Sequence, residues 1–96
     1  MKITYGIIVL NGDFLLRQVL ESIYDSAHAI CIAEGSVSYW NNQGVKKSTD
    51  YTLKIIKEFP DKENKIKLIS GTWKEKTEQC QAWFNLVPND TDYVWC

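Results

Sequence analysis

The sequence predicts an α/β fold, a three-layer α/β/α sandwich built on a mostly parallel sheet of four strands. Two observations carry this. Short apolar runs alternate with segments of helical period along the 96 residues, in the order β-α-β-α-β-α-β. The first run, Ile3 to Leu10, is apolar almost throughout, as in a strand buried on both faces. That order implies right-handed crossovers and helices on both faces of a Rossmann-like sheet.

Each element has its own signal. Asn11-Gly12-Asp13 breaks strand one and can cap a helix start. Leu15, Leu16, Val19, Leu20, Ile23 and Tyr24 then recur at three-four spacing, which predicts helix one, ended by Asp25-Ser26. His28 to Ala33 predicts strand two, with Glu34-Gly35-Ser36 as the turn after it. Val37 to Lys47, containing Tyr39-Trp40-Asn41-Asn42, fits neither period and reads as a surface loop. Ser48 is placed to cap helix two and Asp50 to favour its positive end. Leu53, Ile56 and Phe59 form that helix's stripe, with Ile55 beside it, and Pro60 stops it. Lys65 to Ser70 predicts strand three, with Ile66, Leu68 and Ile69 inward or buried, and Gly71-Thr72-Trp73 as the following loop. Lys74 to Val87 predicts helix three, with Thr77, Cys80, Phe84 and Val87 on its apolar face and Trp83 beside it. Pro88-Asn89-Asp90 ends it, and Tyr93 to Cys96 opens strand four.

Composition narrows the function classes. Residues 1–96 make a single domain, 45% hydrophobic and 24% charged, which suits a globular protein and not a disordered one. Eleven basic residues balance twelve acidic ones for a net charge of -1, so there is no electrostatic footprint for nucleic acid or an anionic membrane. No apolar run approaches the ~20 residues of a transmembrane segment. The N-terminus runs straight into a strand and has no small-residue cleavage site. Cys31, Cys80 and Cys96 are an odd set without paired spacing, so they read as reduced thiols and the expected location is cytoplasmic. One histidine and no Cys-x-x-Cys give no structural zinc site.

In an open parallel sheet, ligands sit outside the carboxyl ends of the strands, so three turns there are candidates. Leu10-Asn11-Gly12-Asp13 can hold a base or ribose, although a helix cap alone accounts for Asn11 and Asp13. The carboxylate of Glu34, beside Gly35 and Ser36, can accept hydrogen bonds from a ribose hydroxyl or base N–H; a plain turn with an exposed Glu is the alternative. Trp73, Lys74 and Lys76 lie at the start of helix three, where a diphosphate can bind, but Glu75 and Glu78 offset the lysines. Gln79 lies one turn from Glu75 and Lys76 and can share their surface. His28 has no Ser, Cys or Asp spaced to activate it. There is no Gly-x-Gly-x-x-Gly after strand one and no Gly-Lys-Ser/Thr phosphate loop.

Taken together, Val9-Leu10-Asn11-Gly12, Leu20-Glu21-Ser22-Ile23-Tyr24, Ala33-Glu34-Gly35-Ser36, Lys76 with Gln79, and Asp92-Tyr93-Val94-Trp95 resemble, in order and spacing, the nucleotide-binding portion of a family 2-like glycosyltransferase with the GT-A fold. The resemblance spans essentially the whole chain. It implies a partial GT-A fold with strand order 3-2-1-4, and transfer of a sugar from a nucleotide-diphosphate donor to an acceptor hydroxyl. Asn11 and Glu34 would line the nucleoside pocket, with Lys76 and Gln79 near the donor phosphates. Leu10, Ser36 and Trp73 complete the candidate set. Ala33 stands where the family has the first aspartate of its strand-two signature, which leaves nucleoside recognition to Glu34. The family's Asp-x-Asp motif, which binds Mg or Mn, would follow Cys96. The expectation is therefore a front portion of a longer enzyme, with no catalytic residue and no metal ligand of its own, inactive in transfer by itself. Strand four would be an apolar edge open to self-association. Two other readings stand beside this one: a non-catalytic flavodoxin-like α/β module binding a nucleotide or protein partner, and a thiol enzyme, for which no cysteine begins a helix or sits in a basic cluster.

Overall fold

A computed structural model describes residues 1–37 and 52–96, apart from the side chains of Asp13 and Phe14. The strands are β1 (Ile3–Val9), β2 (Ala29–Val37), β3 (Ile66–Trp73) and β4 (Tyr93–Trp95), and the helices are α1 (Asp13–Ile23), α2 (Thr52–Glu58) and α3 (Lys76–Phe84). All strand pairs are parallel and the sheet order is β3-β2-β1-β4, as expected. The expected Tyr39–Asn42 surface and the Ser48 and Asp50 cap lie outside the described residues.

Strand alternation sorts the apolar residues into two cores. Ile30 and Ile32 of β2 meet Leu16 and Leu20 of α1 and Ile56 of α2, with Phe59 just beyond it, on one face. Cys31 and Ala33 meet Trp83 of α3 on the other. Eight of the nine β2 residues are buried, which is why this run lacks polar alternation. Helices on both faces satisfy both cores and give the three layers.

The turn between α2 and β3 is fixed by Asp61. Its carboxylate accepts hydrogen bonds from the backbone N–H groups of Lys65 (2.7 Å) and Ile66 (3.0 Å) and from the Tyr24 hydroxyl at the end of α1. Lys65 returns to α1, donating to the Tyr24 carbonyl at 2.8 Å. Also at the amino ends of the strands, the Lys2 carbonyl accepts the Asp92 N–H at 2.8 Å, and Asp90 binds both Lys2 (3.0 Å) and His28 (2.8 Å). These polar ties anchor the three-residue β4 beside β1.

Five local expectations are refined or corrected. Glu34-Gly35-Ser36 is not a turn: β2 runs through it to Val37, pairing Glu34 with Ser70, Gly35 with Gly71 and Ser36 with Thr72. Gly71-Thr72-Trp73 is likewise strand and not loop. The ladder continues because Gly35 adopts φ +139° and faces Gly71, where a Cβ would run into the Gly71 carbonyl. The cap of α1 is Gly12, whose carbonyl accepts the N–H of Leu16 at 3.1 Å, while Asn11 takes the left-handed conformation at φ 53°. Helix α3 is shorter and rotated from the expected face: Gln79 and Trp83 are buried, Thr77 and Phe84 exposed, and Cys80 and Val87 half-buried. In β3, Ile66 and Leu68 pack on the first core, whereas Ile69 is exposed.

Candidate functional site

The carboxyl ends of β1 and β2 and the first turns of α3 enclose a cleft of about 260 Å³, lined by Ile8, Val9, Leu10, Gly35, Val37, Lys76 and Gln79. Each wall follows from the fold. Val9 pairs with Glu34 at the last β1–β2 position, so β2 runs three residues beyond β1 and forms a ledge. Leu10, just past β1, and the first turn of α3 both border that ledge.

The start of α3 is built by its own acidic residues. Glu75, extended at φ -153°, is the cap residue, and its carbonyl accepts the N–H groups of Glu78 (3.1 Å) and Gln79 (3.2 Å). The Glu78 carboxylate reaches back to the N–H of Lys74 at 3.1 Å, much as the acidic residue of a capping box does. Glu78 is thereby engaged in the cap, and Lys76, the first helical residue, lines the cleft with its exposed ammonium-bearing chain.

Gln79 reaches the strands themselves. It is 2% exposed, and its side-chain amide donates to the carbonyls of Ala33 (3.0 Å) and Gly35 (3.3 Å). These carbonyls lie at and just beyond the end of β1 pairing, so a side chain serves backbone acceptors where the neighbouring strand stops. Trp73 covers the same ground from β3, with its ring over Gly35 and Gly71.

Of the residues expected at the site, Leu10, Lys76 and Gln79 therefore meet in one cleft, and Trp73 lies against Gly35 beside it. Glu34 and Ser36 are buried in β2 and are not among the lining residues. Asn11 is exposed in the β1–α1 turn, next to Gly12, whose N–H donates to Thr52 Oγ1 at 2.8 Å. Sequence reasoning missed Ile8, Val9 and Val37 as walls and Gly35 as floor. Their signal was present in the strand ends, but placing β2's end at Ala33 hid Val37.

The chemistry on offer is an ammonium, an amide and an aliphatic wall. Among the described residues no three of His, Cys, Asp and Glu come together to hold a metal ion, so Mg or Mn finds no ligand set there. The thiols are no better placed for catalysis: Cys31 is buried, and burial pushes its thiol up despite the nearby Lys67 charge. No described helix is long and apolar enough to cross a membrane. Comparison with protein-family models, with curated proteins and with solved structures finds no match to this chain.

Proposed function

We propose that the chain is the donor-binding portion of a glycosyltransferase, holding a nucleotide-diphosphate sugar for transfer of the sugar to an acceptor hydroxyl. The cleft carries this reading. It lies at the carboxyl ends of two parallel strands, where open α/β sheets bind ligands, and it unites Leu10, Lys76 and Gln79 from separate segments. At about 260 Å³ it falls just below the roughly 300–1,000 Å³ of small-molecule pockets, which suits part of a nucleotide sugar.

The roles follow from chemistry. Lys76 and the positive end of α3 meet the diphosphate. Leu10, Val37 and their aliphatic neighbours take the flat face of the base. Asn11 is assigned to the nucleoside; Glu34 and Ser36, buried in β2 beside the cleft, and Trp73 shape the strand ends around it. Mg or Mn, part of the same reading, is assigned to no residue described here. Three cysteines without a disulfide are compatible with the cytoplasm.

Calorimetric titration with UDP, GDP and UMP, with and without manganese, tests the reading. One nucleotide is expected to bind, and Lys76→Ala to weaken its binding about fivefold, as for the loss of a charge-assisted contact. Absence of binding in a sample shown by its melting transition to be folded would overturn the reading. It would favour the non-catalytic flavodoxin-like module.

A further inference from the structure

We infer that Gln79 is a positioning residue, which sets the floor of the cleft and the place of Lys76 without itself meeting the ligand through its amide N–H groups. As a statement about ligand binding, this rests on the nucleotide-binding reading above.

The argument begins with what the amide is already doing. Gln79 Nε2 carries two N–H groups and has two acceptors, Ala33 O at 3.0 Å and Gly35 O at 3.3 Å. Its donor capacity is used within the protein. The side chain is 2% exposed, so breaking these bonds would leave a polar group buried and unpaired, which is costly. The resemblance places Gln79 near the donor phosphates; the geometry turns its donors to the backbone.

The second step concerns what those bonds hold. Gly35 is the one described glycine with positive φ, at +139°, and it lines the cleft. β3 pairs with Gly35 through Gly71 on one side, but β1 pairing has ended at Glu34 on the other, so a restraint on the carbonyl there must come from outside the sheet. Gln79 supplies one from α3. The same two bonds fix α3 against β2, and Lys76 sits one turn earlier on that helix, lining the same cleft. Gly35, Gln79 and Lys76 thus form one mechanical unit: strand end, tie and cation.

The tie has a distinctive chemical test. Gln79→Glu keeps the shape but replaces the donor by a carboxylate facing two carbonyls. Burial and those acceptors favour the protonated form, which restores one donated bond. Gln79→Met keeps approximate volume and restores none. Chains of residues 1–96 carrying each change are titrated with whichever of UDP, GDP and UMP binds the unaltered protein, at pH 7.5 and pH 5, alongside that protein.

Both variants are expected to bind about tenfold more weakly at pH 7.5, and only Gln79→Glu to recover at pH 5. Folded variants that bind within twofold of the unaltered protein at both pH values would overturn the inference. Hydrogen exchange tests the tie without any ligand. Gln79→Met should lose protection at Gly35, Ser36 and Val37 while Ile30 to Ile32 keep theirs. Unchanged exchange at Gly35–Val37 would overturn the positioning role, even if no nucleotide binds. Failure of the nucleotide reading would instead appear as loss of protection in the variant with no binding by the unaltered protein.

Discussion

Trp83 lies directly against Gly6: a Cβ at Gly6 would fall inside the indole ring. The contact joins the middle of β1 to α3 and lets a large aromatic lie flat on the sheet, over Cys31 and Ala33. A glycine inside a strand ordinarily weakens it; here it makes room for the principal side chain of the second core.

Gly6→Ala is therefore expected to destabilise the fold by about 2 kcal/mol through overpacking, and Trp83→Ala by roughly 3–5 kcal/mol through the cavity it leaves. Urea denaturation read as a fall in midpoint with an unchanged slope checks both. A neutral Gly6→Ala would show that the indole does not rest on β1.

Asp61 organises the α2–β3 turn. Burial pushes its carboxyl up, but hydrogen bonds from Tyr24, Ile66 and Lys65 and the Lys67 charge outweigh burial and hold it below its ordinary value. Asp61→Ala should cost about 2 kcal/mol, since it orphans two backbone N–H groups and the Tyr24 hydroxyl. Tyr24→Phe should cost less, because Lys65 and Ile66 still donate to Asp61. Equal costs in denaturant titrations would refute this ordering.

At the amino ends of β1, β2 and β4, hydrogen bonds from His28 and Lys2 lower the Asp90 carboxyl to about 2. A carboxylate depressed in the folded state stabilises it above the ordinary carboxylate range. That stabilisation is lost as pH falls from about 4, the ordinary value, through about 2. Acid titration of stability should be less steep in that window for Asp90→Asn than for the unaltered chain. Because Lys2 and Asp90 are both exposed, added salt should shrink the difference.

β4 pairs with β1 at Ile3–Tyr93, Thr4–Val94 and Tyr5–Trp95, and no other described strand lies beside it. Tyr93 is 52% exposed and Trp95 59%. Such an edge invites pairing, so we propose concentration-dependent self-association that Trp95→Lys reduces. Sedimentation equilibrium measures it; a monomer at every concentration would contradict the proposal.

The parallel sheet with helices on both faces was legible because β1 and β2 carry apolar runs that only a doubly covered sheet can bury, whereas the strand order came only with the family resemblance. The cleft was legible in part. Lys76 and Leu10 announce themselves by position, at a helix start and a strand end. Gln79 lines the cleft, but its burial and its bonds to β2 were not visible, because helical period counting sends a polar residue outward. Only the unpaired edge of β2 beyond Val9 gives a glutamine reason to be buried. Glu34-Gly35-Ser36 was read as a turn for a related reason. Turn-forming residues and a glycine pair across two strands, Gly35 beside Gly71, look alike until both strands are aligned.

The most direct test of the account is to map a nucleotide onto the chain by backbone amide chemical shifts, titrating UDP and then GDP into isotopically labelled protein. The account predicts perturbations at Ile8 to Leu10, Gly35 to Val37 and Lys76 to Gln79, saturating together. Shifts elsewhere, or none from either nucleotide in the folded chain, would contradict a donor-binding cleft at the ends of β1 and β2.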